Sequence, residues 1–187
     1  MPRSRNEVRI IGGKWRGRKL SFRGDASLRP TLGRTRETLF NWLRAELPGM
    51  TVWDAFAGSG ILGFEALSQG AARCLFTDLN RQALDALKAN TERLDCTMSA
   101  QVQRMDARRL KTPEQGFDLI FLDPPFDQPA LLKQTMANLQ AQNMVNQYVY
   151  AEAASAATLQ GLEADSSLTI MRETKAGDAF AALLAAS

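Results

Sequence analysis

From residue 51 onward, short β-prone apolar runs alternate with longer segments whose apolar positions recur at helical spacing. The runs predict strands over 51–56, 73–78, 100–105, 117–122, 147–152, 167–172 and 179–184. The periodic segments predict helices over 60–69, 80–93 and 129–141, with a short one near 107–111. Strands that alternate with helices need crossover connections. The pattern therefore predicts an α/β fold with a mostly parallel sheet covered on both faces. Lys175-Ala176-Gly177-Asp178 reads as a hairpin turn, so the sheet should end in an antiparallel pair.

Before residue 51 the pattern changes. Residues 8–11 are β-rich, Gly12-Gly13 marks a turn, and residues 15–20 can return as a second strand. This predicts a hairpin carrying Arg9, Lys14, Arg16, Arg18 and Lys19. A polar linker with Gly24 and Pro30 follows. A helix is then expected over 34–47, where Leu39, Leu43 and Leu47 share one face, closed by Pro48-Gly49. Charge follows the same division. Residues 1–44 hold 12 Lys/Arg and 3 Asp/Glu, a net of +9, and residues 45–187 hold 11 and 17, a net of −6. A basic head on an acidic body points to a polyanion met by the N-terminal end. The expected organisation is a basic, nucleic-acid-binding extension over 1–47 and a core over 48–187, packed as one globular unit.

Composition narrows the chemistry. The 187 residues, 45% of them apolar, suit one domain with a real core. No signal peptide and no apolar run of roughly 18 residues is evident, so a cytoplasmic protein with no membrane partner is expected. Cys74 and Cys96 have neither disulfide nor zinc spacing, and no metal is expected. The chain has no histidine, which excludes Ser-His and Cys-His catalysis and an imidazole base.

One candidate cofactor loop is Val52-Trp53-Asp54-Ala55-Phe56-Ala57-Gly58-Ser59-Gly60-Ile61-Leu62-Gly63. A strand runs into a glycine-rich turn and a helix begins, a place where the backbone can approach a ligand and free N–H groups are presented. Gly58, Gly60 and Gly63 spell the dinucleotide fingerprint. Asp54 changes that reading, because a carboxylate before the loop repels a pyrophosphate but welcomes a cationic amino acid such as S-adenosylmethionine (SAM). Phe56 and Ser59 lie within the same loop and are candidate cofactor contacts. Asp78, at the end of the next strand, can accept both ribose hydroxyls of an adenosine. Asp106, after the third strand, either holds the adenine edge or caps the short helix.

The other motif is Asp123-Pro124-Pro125-Phe126, directly after the apolar run 117–122. A buried strand delivers a carboxylate, two prolines and an aromatic to the carboxyl edge of the sheet, where ligands of open α/β sheets bind. An exocyclic amine on a base is a poor nucleophile. The Asp123 carboxylate and the Pro124 carbonyl can hold its hydrogens and aim its nitrogen at a methyl group, while Phe126 offers a stacking face. An ionised carboxylate accepts only, which matches the adjacent N1–H and N2–H donors of guanine better than the donor–acceptor edge of adenine.

These motifs resemble those of the SAM-dependent amino-methyltransferases of nucleic acids. The N-terminal segments Arg9-Ile10-Ile11-Gly12-Gly13-Lys14-Trp15-Arg16-Gly17-Arg18 and Arg29-Pro30-Thr31, with Arg34-x-Arg36-Glu37-Thr38-Leu39-Phe40-Asn41, resemble the RsmD family in particular. That resemblance runs from about residue 8 to residue 184. It implies a Rossmann-like class I methyltransferase whose seven strands are ordered 3-2-1-4-5-7-6, with a small N-terminal β-hairpin that grips RNA. It also implies methylation of a guanine N2 in 16S rRNA, with that rRNA or the small ribosomal subunit as partner. Carried over by position, it implies SAM around Asp54, Gly58, Gly60, Asp78 and Asp106, and Asp123, Pro124, Pro125 and Phe126 at the amine. Thr31, Arg36 and Asn41 match the N-terminal motif and are expected to line the substrate site, as are Arg9, Lys14, Arg16 and Arg18 of the hairpin. Asn80 departs from an acidic residue found in some members.

Three other readings explain less. An NAD-dependent oxidoreductase accounts for the glycines, but it leaves Asp-Pro-Pro-Phe without a role. A non-catalytic RNA-binding module needs neither Asp54 nor Asp123. DNA N6-adenine methylation calls for a separate recognition domain that 187 residues do not accommodate.

Overall fold

The computed structural model describes residues 6–22, 30–111, 115–125 and 128–186, with the backbone alone for residues 30–32. Nine strands and five α-helices follow one another in these segments: β1 (Asn6–Arg9), β2 (Lys19–Phe22), α1 (Pro30–Leu43), β3 (Thr51–Asp54), α2 (Ile61–Ser68), β4 (Arg73–Asp78), α3 (Arg81–Arg93) and β5 (Ala100–Arg104) come first. Then come β6 (Phe117–Leu122), α4 (Pro129–Ala141), β7 (Val145–Ala153), α5 (Ala156–Ala164), β8 (Leu168–Ala176) and β9 (Ala179–Ala186).

Seven strands form one sheet in the order β5-β4-β3-β6-β7-β9-β8, and β1 and β2 form a separate antiparallel hairpin. Counted from β3, that order is 3-2-1-4-5-7-6, as the resemblance implies. β3 to β7 pair in parallel, whereas β9 runs antiparallel to both β7 and β8. The central strands are apolar on both faces because both are covered. Leu119 and Phe121 of β6 join α1, α2 and α3 in one core, and Ile120 and Leu122 join α4 and α5 in the other. β8 and β9 meet at a two-residue turn between the paired Ala176 and Ala179, with Gly177 at φ +61°.

Three elements differ from the sequence expectation. The hairpin strands sit further from the Gly12-Gly13 turn than expected, and a single 3-10 turn, Gly13–Trp15, stands between them. Residues 15–18 are not strand, because Trp15 is drawn into the core and its N–H donates to Ser68 Oγ at 2.9 Å. Gly13 lies so close to α2 that a Cβ there would stand 1.8 Å from the Ser68 carbonyl oxygen, at φ +72°. Tertiary packing thus overrides local β-propensity. α1 begins at Pro30, in a segment read as linker, and ends at Leu43 rather than 47. A first-turn proline costs a helix nothing, since that N–H has no intrahelical acceptor. α5 was not expected at all. Ser155 caps it by accepting from the Thr158 N–H, but only Leu159 and Leu162 of its residues are buried, too few to show a period.

Ile10, Trp15 and Leu20 belong to the same core as Phe64 and Leu67 of α2 and Leu87 of α3. Asn90 of α3 also pairs with the Ser21 backbone like a strand neighbour, accepting its N–H at 3.2 Å and donating to its carbonyl at 3.0 Å. The basic hairpin is therefore anchored on the helices that flank the cofactor loop.

Candidate active site

Three adjacent strand ends build the site. β3 lies between β4 and β6, so the glycine loop leaving β3 has Asp78 on one side and Asp123 on the other. The loop is held from below. The Ala57 N–H donates to the Thr77 carbonyl at 2.9 Å, and the Ala55 N–H donates to the Phe121 carbonyl at 3.1 Å. Its glycines do different work. A Cβ at Gly60 would meet Leu87 at 2.4 Å and one at Gly63 would meet Phe76 at 2.3 Å, so these two let α2 pack on α3 and β4. A Cβ at Gly58 would meet only the Phe56 carbonyl oxygen at 3.9 Å, which leaves that backbone, at φ +50°, facing open space. Ser59 is half-buried in the same loop, and Phe56 is half-buried against the α4 and α5 core.

Asp78 ties the loop to the next strand. Its Oδ2 accepts from the Gly58 N–H at 2.9 Å and its Oδ1 from the Asn80 N–H at 2.8 Å. A carboxylate has about four acceptor sites, so room remains for a vicinal diol. Asn80 caps α3, its Oδ1 accepting from the N–H groups of Gln82 and Ala83 at 2.8 and 3.3 Å. Its departure from an acidic residue is thus a cap that leaves Asp78 in place.

Asp54 stands at the end of β3, just before the glycine loop. It is 3% exposed, and its Oδ2 accepts from the Gly63 N–H at 3.0 Å. It fastens the start of α2 to the end of β3. Burial pushes its carboxyl up to about 7, with the Gly63 N–H pulling down and Asp78 pushing up. The fold therefore takes up a proton that the unfolded chain releases near pH 4, and stability falls as pH rises through about 7. Asp54→Asn keeps an acceptor for Gly63 and does not titrate. Between pH 6 and pH 8 the ligand-free wild type should lose about 1.4 kcal/mol relative to this variant. Urea denaturation at both pH values measures the difference, and parallel losses would contradict the assignment.

Asp106 caps the 3-10 turn Ala107–Arg109 through the Arg108 N–H at 3.0 Å, and its carboxylate pairs with the Arg108 guanidinium at 2.6 Å. The Arg108 hydrogen bond holds it below the usual carboxylate range. The capping alternative describes its geometry. Asp123 is half-buried, Pro124 buried and Pro125 exposed, with the Pro125 carbonyl accepting from the Gln128 N–H at 3.0 Å. Phe126 lies outside the described residues, and so does the side chain of Thr31.

Arg9, Lys14, Arg16 and Arg18 are all exposed on the hairpin. Arg9 donates to the Gly17 carbonyl at 3.0 Å, Arg18 donates to the Arg93 carbonyl at 3.1 Å, and Lys14 lies 4.4 Å over the Trp15 ring. Arg36, expected at the substrate site, is instead 7% exposed. It donates to the Arg9 carbonyl at 2.9 Å and pairs with Glu65 at 3.8 Å, so it braces the hairpin from inside. Asn41 is exposed and accepts from Arg44 at 2.7 Å.

The sequence reading passed over Glu65, which is fully buried and accepts from the N–H groups of Ile11 and Gly12 at 2.9 and 2.7 Å. A lone carboxylate in the apolar run Ile61-Leu62-Gly63-Phe64-Glu65-Ala66-Leu67 was the available signal. Among the described residues, no cluster of His, Cys, Asp or Glu could hold a metal, and no helix is long and apolar enough to cross a membrane.

The family model described as Conserved hypothetical protein 95 matches residues 8–185, and several relatives carry the name ribosomal RNA small subunit methyltransferase D. The chain belongs to the RsmD family. This member is 44% identical over 129 residues to ribosomal RNA small subunit methyltransferase D of Haemophilus influenzae, covering 67% of each chain. It is 35% identical over 153 residues to the protein of that name from Buchnera aphidicola, covering 80% of each. The solved structure of yhhF from Escherichia coli superposes on this RsmD-family chain with a TM-score of 0.81 at 33% identity, covering 97% of this chain and 99% of that one.

Proposed function

We propose that this RsmD-family member transfers a methyl group from SAM to the N2 amine of a guanine in 16S rRNA of the small ribosomal subunit. The observation that carries the reading is the placement of the Asp123-Pro124 edge beside the glycine loop, on the neighbouring strands β6 and β3. The residues fit the cofactor. Gly58 leaves open space against the loop, and Asp78 keeps acceptor capacity for a ribose after holding the loop. When bound there, SAM supplies an electrophilic methyl group on a sulfonium.

The chain's own residues do the rest. Asp123 and the Pro124 carbonyl hold the amine hydrogens and point the nitrogen lone pair, so catalysis is mainly positioning. Phe126 stacks on the base. Asp54, Phe56, Ser59 and Gly60 shape the cofactor loop, and Asp106 stands at the adenine end. The +9 charge of residues 1–44 supplies phosphate contacts through Arg9, Lys14, Arg16 and Arg18. The extension over 1–47 acts as the RNA-facing part of a single unit with the core. Mass spectrometry of nucleosides from small subunits and 16S rRNA incubated with the protein and labelled SAM tests the reading. N2-methylguanine is expected. N6-methyladenine as the product, or no transfer, would contradict it.

A further inference from the structure

A second carboxyl group stands beside Asp123. Leu122 of β6 lies opposite Ala151 of β7, so the next residues, Asp123 and Glu152, stand side by side on strands about 4.8 Å apart. Tyr150 and Glu152 share one face of β7. Phe121 is on that face too, its ring 6.2 Å from the Tyr150 ring. Strand alternation continued from Phe121 sets Asp123 on that face as well, the α1 side of the sheet.

Glu152 is 4% exposed, and its Oε1 accepts from the Tyr150 hydroxyl at 2.6 Å. Among the described residues, no other donor and no cation reaches its carboxyl group. β9 sets Ala181 opposite it, and Arg36 of α1 is taken up by Glu65 and the Arg9 carbonyl.

A carboxyl group that is buried and stands on the strand next to another carboxylate favours its protonated form. Burial holds Glu152 above the usual carboxylate range, against a smaller downward pull from Tyr150. A protonated carboxyl is a donor, which Asp123 as a carboxylate is not. Guanine presents two donors, N2–H and N1–H, and then an acceptor, O6. Asp123 matches the donors and leaves O6 unserved.

We propose that Glu152 is a base-recognising residue of this site, its carboxyl O–H donating to O6 of the guanine whose amine Asp123 holds. This rests on the reaction proposed above. Tyr150 orients the group by donating to its other oxygen. The arrangement favours guanine because O6, taken from water and left without a donor, would cost the bound state.

The test compares wild type with Glu152→Gln and Glu152→Met on small ribosomal subunits, using labelled SAM, product analysis and pH profiles of turnover. Glutamine keeps the shape, an acceptor for Tyr150 and an N–H donor that does not titrate. It should stay within about 3-fold of wild type near neutral pH and lack the alkaline fall that wild type shows as Glu152 loses its proton. Methionine keeps the bulk and has no donor. It should lower turnover about 10-fold or more, with SAM affinity by calorimetry unchanged. Full turnover in Glu152→Met, or equal losses in both variants, would overturn the assignment. Should Glu152→Met fail to fold, the Glu152→Gln profile decides, and an alkaline fall equal to wild type overturns it. Wild type that makes no N2-methylguanine overturns the reaction itself, and the role of Glu152 with it.

Discussion

An Asp123→Asn variant should turn over about 100-fold more slowly than wild type or worse, a loss of about 2.7 kcal/mol of transition-state positioning. The reason is the sign of the groups at the strand end. A carboxylate accepts from both adjacent donors of guanine, whereas an amide must set its NH2 against one of them or turn and give up a bond. Asp123 follows a strand that is fully buried from Leu119 to Leu122, so the backbone cannot shift to recover the geometry. The Pro124 ring keeps the next peptide stiff as well. Loss of one hydrogen bond to a nearly neutral amine would explain a smaller effect. The larger figure is expected because a tilted nitrogen no longer lies in line with the carbon–sulfur bond. The cofactor loop hangs from β3 and β4, so SAM affinity should change little. Single-turnover rates with saturating SAM, alongside calorimetry, separate the two effects. Full activity in Asp123→Asn would sink the assignment of the amine to this carboxylate.

Legibility followed how local each signal is. The alternation of strands and helices was readable from the apolar runs, and the Gly177-Asp178 turn announces the antiparallel end, whereas the order of the strands came from the resemblance alone. The strand, glycine turn and helix, with Asp78 beside them, were readable for a similar reason, since strand, glycines and acid stand in fixed order along the chain. What stayed hidden is decided across long separations. Glu65 bonds to residues 53 and 54 positions away, and nothing near it in sequence says what it holds. Arg36 matched a substrate-site motif, yet its partners are the Arg9 carbonyl and Glu65, so it lies in the core. Tyr150 and Glu152 looked like any strand alternation, and their pairing matters only because β6 ends beside them. The three glycines, identical on paper, separate into one that faces open space and two that let side chains pack.

Removing Glu65 should cost about 3–5 kcal/mol of stability, because it leaves a buried cation without its counter-charge. Glu65→Ala strands the Arg36 guanidinium, which burial already disfavours as a cation, together with the N–H groups of Ile11 and Gly12. Gln69 Nε2, now donating to Glu65 at 2.8 Å, loses its acceptor too. The damage should concentrate at the join between hairpin and α2. Ile10, Trp15 and Leu20 depend on that join for their place in the core. The same join sets where Arg9, Lys14, Arg16 and Arg18 stand relative to the cofactor loop. A milder Glu65→Gln keeps one acceptor and should lie between wild type and alanine. Replacing both partners, as in Glu65→Leu with Arg36→Leu, should cost less than Glu65→Ala alone, because no unpaired charge remains in the interior. Urea denaturation of wild type and the three variants measures these differences. RNA binding at low salt should weaken in Glu65→Ala more than SAM binding does, since the hairpin loosens before the sheet. If the double variant proves as unstable as the alanine variant, or if RNA binding survives unchanged, Glu65 is a packing residue and not the clamp that sets the basic hairpin against the methyl-transfer site.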